Sequence, residues 1–158
     1  MKPEYNKWIS GKGAGVYSAF DISSYIIEYS NEKQYIISGL KLQKLLYFVQ
    51  AYFLMQKKEP CFREKLIAWN FGPVVVEVYE KYKEYGSLDI PKDRAGAYYV
   101  DEADKELIKY VVDAFAYFPA TTLTDTAIEQ LPYQKAVASS EKEIKIQDIR
   151  DFFNEDNA

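Results

Sequence analysis

Apolar side chains recur at helical spacing along most of this chain, so the pattern predicts a mostly α fold. The richest stretch runs from Leu40 to Pro73, where a long apolar helix leads through a polar turn into a short aromatic segment. We expect that helix to begin after Ser38 and to end near Lys57. It is apolar nearly all round, which is typical of a central helix. The expected fold is a single compact domain of five or six helices, with at most a short two-stranded β element.

Capping residues and prolines predict where the other helices begin. Ser18 and Asp21 have the form of a capping box, which starts a first helix over about residues 19–30. Residues 66–71 fit either an extended segment or one helical turn, and residues 98–100 fit a short strand. Further helices are expected from Gly72-Pro73 to about Gly86, from residue 101 to about 118, near 125–131 behind a Thr122 or Thr124 cap, from Pro132 through Val137, and in a hook and short helix within residues 144–153.

The two ends of the chain are expected to be loose, because chain termini commonly are. We predict a flexible N-terminal segment over residues 1–16, a single helical domain over residues 17–153 and a frayed tail over residues 154–158. The N-terminal run SGKGAG lacks the glycine spacing and the preceding strand of a phosphate-binding Walker loop. It therefore gives no reason to expect a bound nucleotide.

Charge is divided unevenly along the 158 residues, whose net charge is −4. Residues 1–100 carry 14 basic and 11 acidic side chains, whereas residues 101–158 carry 6 and 13. An acidic half repels a phosphate backbone, which argues against broad nucleic-acid binding by that half. The small basic excess of the first half is too weak to indicate a nucleic-acid site.

Cysteine usage and the polarity of the first residues predict a cytoplasmic protein. Cys61 is the single cysteine, so this chain cannot form an intramolecular disulfide. The opening residues MKPEYNK lack the apolar segment of a secretory signal. No run approaches the ~20 apolar residues that a membrane span needs, so no membrane partner is expected.

Side chains for most catalytic chemistry are missing from the sequence. It contains no histidine, which removes the commonest general base and metal ligand, and one cysteine cannot build a zinc site. The carboxylates of Glu77, Glu80 and Glu84 alternate with lysines, which indicates a solvated helix face with ion pairs. We therefore expect no enzyme, no catalytic residues, no metal and no cofactor. A carboxylate-only hydrolase is the least favoured alternative.

Aromatic residues are the clearest sign of a binding surface in this sequence. The chain has 15 tyrosines, whose ring and hydroxyl suit half-buried positions and interfaces. The alternative, that the rings cover a small helical core, stays open, and for Trp69 and Phe71 burial in the core is the more common outcome. The residues expected to form a partner-binding face are Trp69, Phe71, Gly72, Pro73, Val74, Tyr79, Tyr82 and Tyr85.

Three segments of the chain resemble phage-associated GepA-like or SocA-like proteins, whose shared region is called the Panacea antitoxin domain. They are LKLQKLLYFVQA at residues 40–51, IAWNFGPV at residues 67–74 with the tyrosines that follow, and the weaker LPYQKA at residues 131–136 with the closing IRDFF. The family pattern has a Thr-His pair before a Pro-Trp, where this chain has Ala127-Ile128 and Pro132-Tyr133. A role for that histidine is therefore not carried over.

The resemblance implies a mostly helical antitoxin from a two-gene toxin–antitoxin pair of bacteria, phages or prophages. Such a protein is expected to neutralise a cognate protein toxin, encoded by an adjacent gene, by direct protein–protein binding. One branch of the family acts as an adaptor that delivers the toxin to a cytosolic protease, and this is one alternative here. A phage regulatory protein that binds nucleic acid is another. A homodimer is also left open.

Overall fold

Two serine caps start the first two helices of the computed structural model, which describes residues 17–156. The Ser18 hydroxyl accepts a hydrogen bond from the Asp21 amide, and the Ser38 hydroxyl accepts one from the Lys41 amide. Each hydroxyl satisfies an amide in the first helical turn that has no partner within the helix. Both predicted helix starts are therefore confirmed.

Helices dominate the regular structure of residues 17–156, which confirms the mostly-α prediction. There are seven α-helices in this range rather than five or six, and the sheet has three strands rather than two. Single 3-10 turns lie at Lys83–Tyr85 and Lys92–Arg94. In chain order the elements are α1 (Ala19–Glu32), α2 (Gly39–Lys57), β1 (Leu66–Trp69), β2 (Gly72–Val74), α3 (Val76–Tyr82), α4 (Glu102–Ala114), α5 (Ala120–Ile128), α6 (Leu131–Ala138), β3 (Glu143–Ile144) and α7 (Ile146–Asp156).

Helix α2 is the centre of the fold, as its apolar surface predicts. It packs against α1, α3, α4, α5, α7 and strand β2. Its side chains are buried on every face over most of its length, and they belong to one contiguous apolar cluster. Because an all-round apolar helix gains free energy only when neighbours cover each side, the other helices are arranged around it.

Two buried glutamines of α2 hold the chain on either side of the β1–β2 hairpin. The Gln50 side chain accepts a hydrogen bond from the Cys61 amide at 2.7 Å and donates one to the Phe62 carbonyl at 3.0 Å. The Gln43 side chain accepts a hydrogen bond from the Val75 amide at 2.8 Å. Buried backbone groups need such partners. The glutamines therefore fix where the hairpin enters and leaves the core.

The small antiparallel sheet has the strand order β2-β1-β3. Trp69 pairs with Gly72 and Ala68 pairs with Pro73 in the hairpin, while Leu66 pairs with Ile144 on the other side of β1. Residues 66–69 are therefore extended, which decides between the two conformations that the sequence left open. Strand β3 brings the segment before α7 back to the hairpin.

The prediction that Gly72-Pro73 starts a helix is wrong. Both residues lie in β2, and the following helix begins only at Val76. Strand β2 is at the edge of the sheet, where proline is tolerated because its missing N–H is not needed. Gly72 has a φ of 108°, a conformation that favours glycine over other residues. Gly72-Pro73 therefore belongs to the hairpin. The same two residues also suit a helix start, which is why the sequence pattern alone misplaced them.

Three other boundaries differ from the sequence-based expectations. Residues 98–100 are extended but pair with no strand in the described range; instead the Tyr98 hydroxyl donates a hydrogen bond to Glu28. Helix α4 ends at Ala114 rather than near residue 118. Helix α5 begins directly after Pro119, ahead of the expected threonine caps. Pro119 therefore lies at the start of α5 and not only at the end of the preceding segment.

Only part of the predicted chain ends lies within the described residues. The expected flexible segment, residues 1–16, lies outside the described residues. Helix α7 extends to Asp156, and residues 157–158 of the expected tail also lie outside the described range. Among residues 17–156, no helix combines the length and apolar character needed to cross a membrane.

Candidate protein-interaction site

Three aromatic rings gather on the outer side of the β1–β2 hairpin. We call Trp69, Phe71 and Tyr79 the hairpin cluster. The Trp69 ring lies 5.7 Å from that of Phe71 and 5.0 Å from that of Tyr79, both nearly edge-to-face, and the Phe71 and Tyr79 rings are 6.2 Å apart. Phe71 is 38% exposed, and the other two side chains are partly exposed. The cluster therefore presents aromatic surface to solvent.

The backbone under the hairpin cluster is tied to the helices behind it. The Tyr133 hydroxyl of α6 donates a hydrogen bond to the Trp69 carbonyl at 2.6 Å. The Thr124 hydroxyl of α5 donates a longer one, at 3.5 Å, to the Phe71 carbonyl. Burial raises the pKa of the Tyr133 hydroxyl, so it keeps its proton and remains a donor at neutral pH. These bonds tie the hairpin backbone to α5 and α6.

A buried lysine lies directly beneath the hairpin cluster. Lys44 is 1% exposed, and its Nζ atom is 5.1 Å from the centre of the Phe71 ring. The Nζ donates a hydrogen bond to the Pro73 carbonyl at 3.2 Å. Burial lowers the pKa of this ammonium to about 8, and within the described residues no carboxylate forms an ion pair with it. The site therefore combines aromatic rings with a positive charge that is not neutralised.

The other residues expected at the partner face are placed differently. Gly72, Pro73, Val74 and Tyr82 are buried and contribute to the support of the hairpin rather than to its surface. Tyr85 is partly buried and packs against the core. Of the eight residues expected at the partner face, the three of the hairpin cluster therefore remain the candidates.

A second surface includes residues at the α2 N-terminus and was not predicted from the sequence. We call it the apolar groove; Tyr35, Ile36, Leu40, Lys41, Tyr117 and Phe118 line most of it. Its volume is about 540 Å³. Tyr117 is 87% exposed and Ile36 65% exposed. Exposed apolar side chains gathered at a concave surface are typical of interaction sites.

Sequence reasoning missed the groove and both buried lysines for identifiable reasons. The groove is assembled from chain segments far apart in sequence, around residues 34–41, 87 and 116–121. The sequence did contain a signal for burial of Lys41 and Lys44, because they are spaced i, i+3 on a helix that is apolar nearly all round. Side chains on such a helix must be covered by other elements, so their burial was predictable.

Cys61 is buried, and Glu80 lies on an exposed helix face. Burial raises the pKa of the Cys61 thiol well above its ordinary value, which disfavours the nucleophilic thiolate. Glu80 forms an exposed i, i+3 ion pair with Lys83, as expected for a solvated helix face. Within residues 17–156, no three or more His, Cys, Asp or Glu side chains are grouped to hold a metal ion.

Comparison with known proteins shows the family of the chain. The family model described as "Antitoxin SocA-like, Panacea domain" matches residues 42–151, which include the hairpin, α4, α5 and α6. The chain belongs to this SocA-like Panacea family. One similar protein is the antitoxin SocA of Caulobacter vibrioides (strain NA1000 / CB15N), with 46% identity over 50 residues. That alignment covers 32% of this chain and 27% of the relative's length. No solved structure matches the chain.

Membership of the Panacea family confirms the resemblance stated from the sequence and gives meaning to its departures. Tyr133, where the family pattern has tryptophan, supplies the hydroxyl that holds the Trp69 carbonyl. Ala127, in the pair that replaces Thr-His, is fully buried in the core. The departures of this chain therefore lie in the helices that support the hairpin.

Proposed function

We propose that this Panacea protein neutralises a toxin protein, encoded by an adjacent gene, by binding to it directly through the hairpin cluster. The observation that carries the proposal is a rigid, partly exposed aromatic surface within the region matched by the antitoxin family model. Tryptophan and tyrosine are enriched among the residues that dominate binding energy in protein interfaces.

The construction of the hairpin cluster suits an interface. Its backbone is fixed by Tyr133 and Thr124, so little conformational entropy is lost on binding. Its rings contact one another, which lowers the cost of ordering their side chains. Lys44 adds a positive charge close to Phe71, which favours a partner with acidic or carbonyl groups opposite the cluster.

Burial of the lysines weakens the alternative of nucleic-acid binding. Lys41 and Lys44 contribute two of the basic side chains of the first half, yet both are buried. Contacts to phosphates need cations at the surface. We therefore infer that this chain binds another protein rather than nucleic acid. We also infer that it does so in the cytoplasm and without catalysing a reaction.

Co-expression tests this proposal. The gene beside this one is induced in cells with either the wild-type antitoxin, Phe71→Ala, or the control Tyr110→Ala, which removes an exposed aromatic ring outside the hairpin cluster. We expect the neighbouring product to be toxic alone, wild type and Tyr110→Ala to restore growth, and Phe71→Ala to restore it poorly. A harmless neighbouring product would contradict the proposal, as would full rescue by Phe71→Ala at equal expression.

The level of toxin in rescued cells separates two mechanisms. Neutralisation by surface occlusion predicts that the toxin persists at an undiminished level while cells grow. Loss of the toxin, restored by removal of a cytosolic protease, would instead identify the protein as a proteolytic adaptor. Immunoblotting of a tagged toxin after rescue gives this result.

A further inference from the structure

The apolar groove contains a buried positive charge without an acidic partner. Lys41 lines the groove but is only 6% exposed, and its Nζ donates a hydrogen bond to the Ala116 carbonyl at 2.7 Å. No acidic side chain lines the groove, and within the described residues no ion pair involves Lys41. A buried ammonium with one neutral acceptor is stabilised less than one beside a carboxylate. Within the described residues, the positive charge of Lys41 is therefore not balanced by a carboxylate.

Two helix N-termini add to the positive potential of the groove. Ser38, Leu40 and Lys41 are at the start of α2, and Pro119, Ala120 and Thr121 are at the start of α5. A helix N-terminus carries a partial positive charge and amides without intrahelical acceptors. In the described part of the chain, the Ala120 and Thr121 amides have no hydrogen-bond acceptor. At the start of α2, the Lys41 amide donates to the Ser38 hydroxyl and the Leu40 amide to the Gly86 carbonyl, so it is Lys41 and the start of α5 that favour an anion here.

The acidic groups around the groove are engaged elsewhere. Asp113 accepts hydrogen bonds from the hydroxyls of Tyr29 and Tyr35. Asp89 accepts one from the Ile37 amide at 2.7 Å. Neither carboxylate approaches Lys41 closely enough to form an ion pair. Within residues 17–156, therefore, no carboxylate neutralises Lys41.

The rim of the groove selects what kind of anion fits. Ile36, Tyr117 and Phe118 are exposed apolar side chains around the charged floor. A small inorganic anion would leave these side chains in water, whereas a polypeptide segment with apolar residues would bury them. The volume of about 540 Å³ is within the usual range for a binding pocket.

We propose that the apolar groove is a second protein-interaction surface, which binds a partner segment in which an Asp or Glu side chain is flanked by apolar residues. The carboxylate contacts Lys41 and the α5 N-terminus, and the apolar side chains pack on Ile36, Tyr117 and Phe118. This surface shares no residue with the hairpin cluster. It therefore goes beyond the proposed binding of the toxin through that cluster.

Selection from a random peptide display library tests the groove without knowledge of the natural partner. The baits are the purified wild-type chain, Tyr117→Ser and Lys41→Met, each confirmed to be folded by circular dichroism. On wild type we expect enriched peptides that carry Asp or Glu between apolar residues. Tyr117→Ser should lose these peptides. Lys41→Met should still enrich apolar peptides but without the acidic preference.

A synthetic peptide from the enriched set gives the quantitative result. Its Asp→Asn variant should bind wild type at least ~10-fold more weakly, and should bind Lys41→Met about as well as the Asp peptide does. The proposal is overturned if no enriched peptide depends on Tyr117, or if the enriched peptides show no acidic preference. It is equally overturned if the Asp→Asn change affects binding to wild type and Lys41→Met alike.

Discussion

The hairpin cluster and the apolar groove both adjoin the N-terminal part of α2 and are built in opposite ways. The cluster takes its three rings from eleven consecutive residues, and hydrogen bonds from α5 and α6 hold its backbone. The groove takes its walls from three distant segments, and its exposed Tyr117 ring packs edge-to-face on Tyr35. Each has a buried lysine of α2 beneath or beside it. Each surface thus has a buried positive charge nearby, but the two differ in how far hydrogen bonds fix the backbone that carries the rings.

This contrast teaches that α2 does more than fill the core. Lys41 and Lys44 cost free energy where they are, because both are buried without a carboxylate partner. A purely structural helix would be more stable with apolar residues at both positions. At Lys41 this cost is offset if an acidic group meets the ammonium when a partner binds, which is what the groove proposal requires.

The largest predicted effect concerns the pH dependence of stability. Burial lowers the pKa of Lys44 from its ordinary 10.5 to about 8, so between these values the unfolded chain holds a proton that the folded protein has released. The contribution of Lys44 to the free energy of unfolding should therefore rise with pH in this window, by about 3 kcal/mol in full. Lys44→Met should remove most of that rise, as measured by urea unfolding at pH 7, 8, 9 and 10.

The exposed Lys65 provides the control for this effect. Its side chain is 72% exposed, so Lys65→Met should leave the pH dependence unchanged. The comparison is made between wild type and Lys44→Met because burial also raises the pKa of Cys61 and of tyrosines such as Tyr47, and ionisation of these groups in the unfolded chain lowers the stability of both proteins at high pH. Equal pH dependence of wild type and Lys44→Met from pH 7 to 10 would show that Lys44 is not held as described.

A glycine substitution should damage the hairpin cluster selectively. Gly72→Ala combines a φ of 108° with a new Cβ atom 3.0 Å from Lys44 Nζ and 3.3 Å from Thr124 Cγ2, which should cost about 2 kcal/mol. Gly96→Ala is the matched control, because its Cβ would meet neighbours only at ordinary distances of 3.6 Å or more. Chemical unfolding measures both. Equal stability of the two variants would contradict the strained hairpin.

Removal of one hydroxyl should loosen the hairpin cluster without touching the groove. Tyr133→Phe loses the hydrogen bond to the Trp69 carbonyl and should cost about 1 kcal/mol of stability. Hydrogen exchange of the hairpin amides should become faster, whereas binding of groove peptides should not change. Tyr110→Phe, at an exposed position on α4, is expected to alter neither. Unchanged exchange in Tyr133→Phe would remove the tyrosine from its supporting role.

The smallest effect on stability is expected at the groove. Tyr117→Ser removes a ring that is 87% exposed, so stability should change by no more than about 0.5 kcal/mol. The same change should abolish binding of the acidic groove peptides. Thermal unfolding and peptide binding, measured on one preparation, distinguish a binding residue from a structural one. A large loss of stability would mean that Tyr117 supports the fold instead.

Local sequence signals predicted the features that depend on neighbouring residues. The hydroxyls of Ser18 and Ser38 cap the first two helices, and Pro132 lies in the first turn of α6 as expected. The resemblance carried by the segments around α2 and the hairpin is confirmed by the family match. These signals succeed because a cap or a helix face is decided within one or two turns of chain.

Features that depend on distant contacts were not predicted. Gly72-Pro73 suits a helix start and a hairpin equally well, and the pairing of β1 with β3, some 75 residues on, favours the hairpin. The groove arises only once residues around Ile36 and Tyr117 are brought together by packing around α2. Because no local pattern encodes such contacts, the second surface required the structure.

The central claim is that the hairpin cluster binds the toxin directly. Isothermal titration of the purified protein with the purified product of the adjacent gene tests it most directly, with Phe71→Ala and Tyr110→Ala measured alongside. We predict saturable binding by wild type and Tyr110→Ala, and at least ~10-fold weaker binding by folded Phe71→Ala. No binding by wild type, or equal affinity of wild type and Phe71→Ala, would contradict the claim.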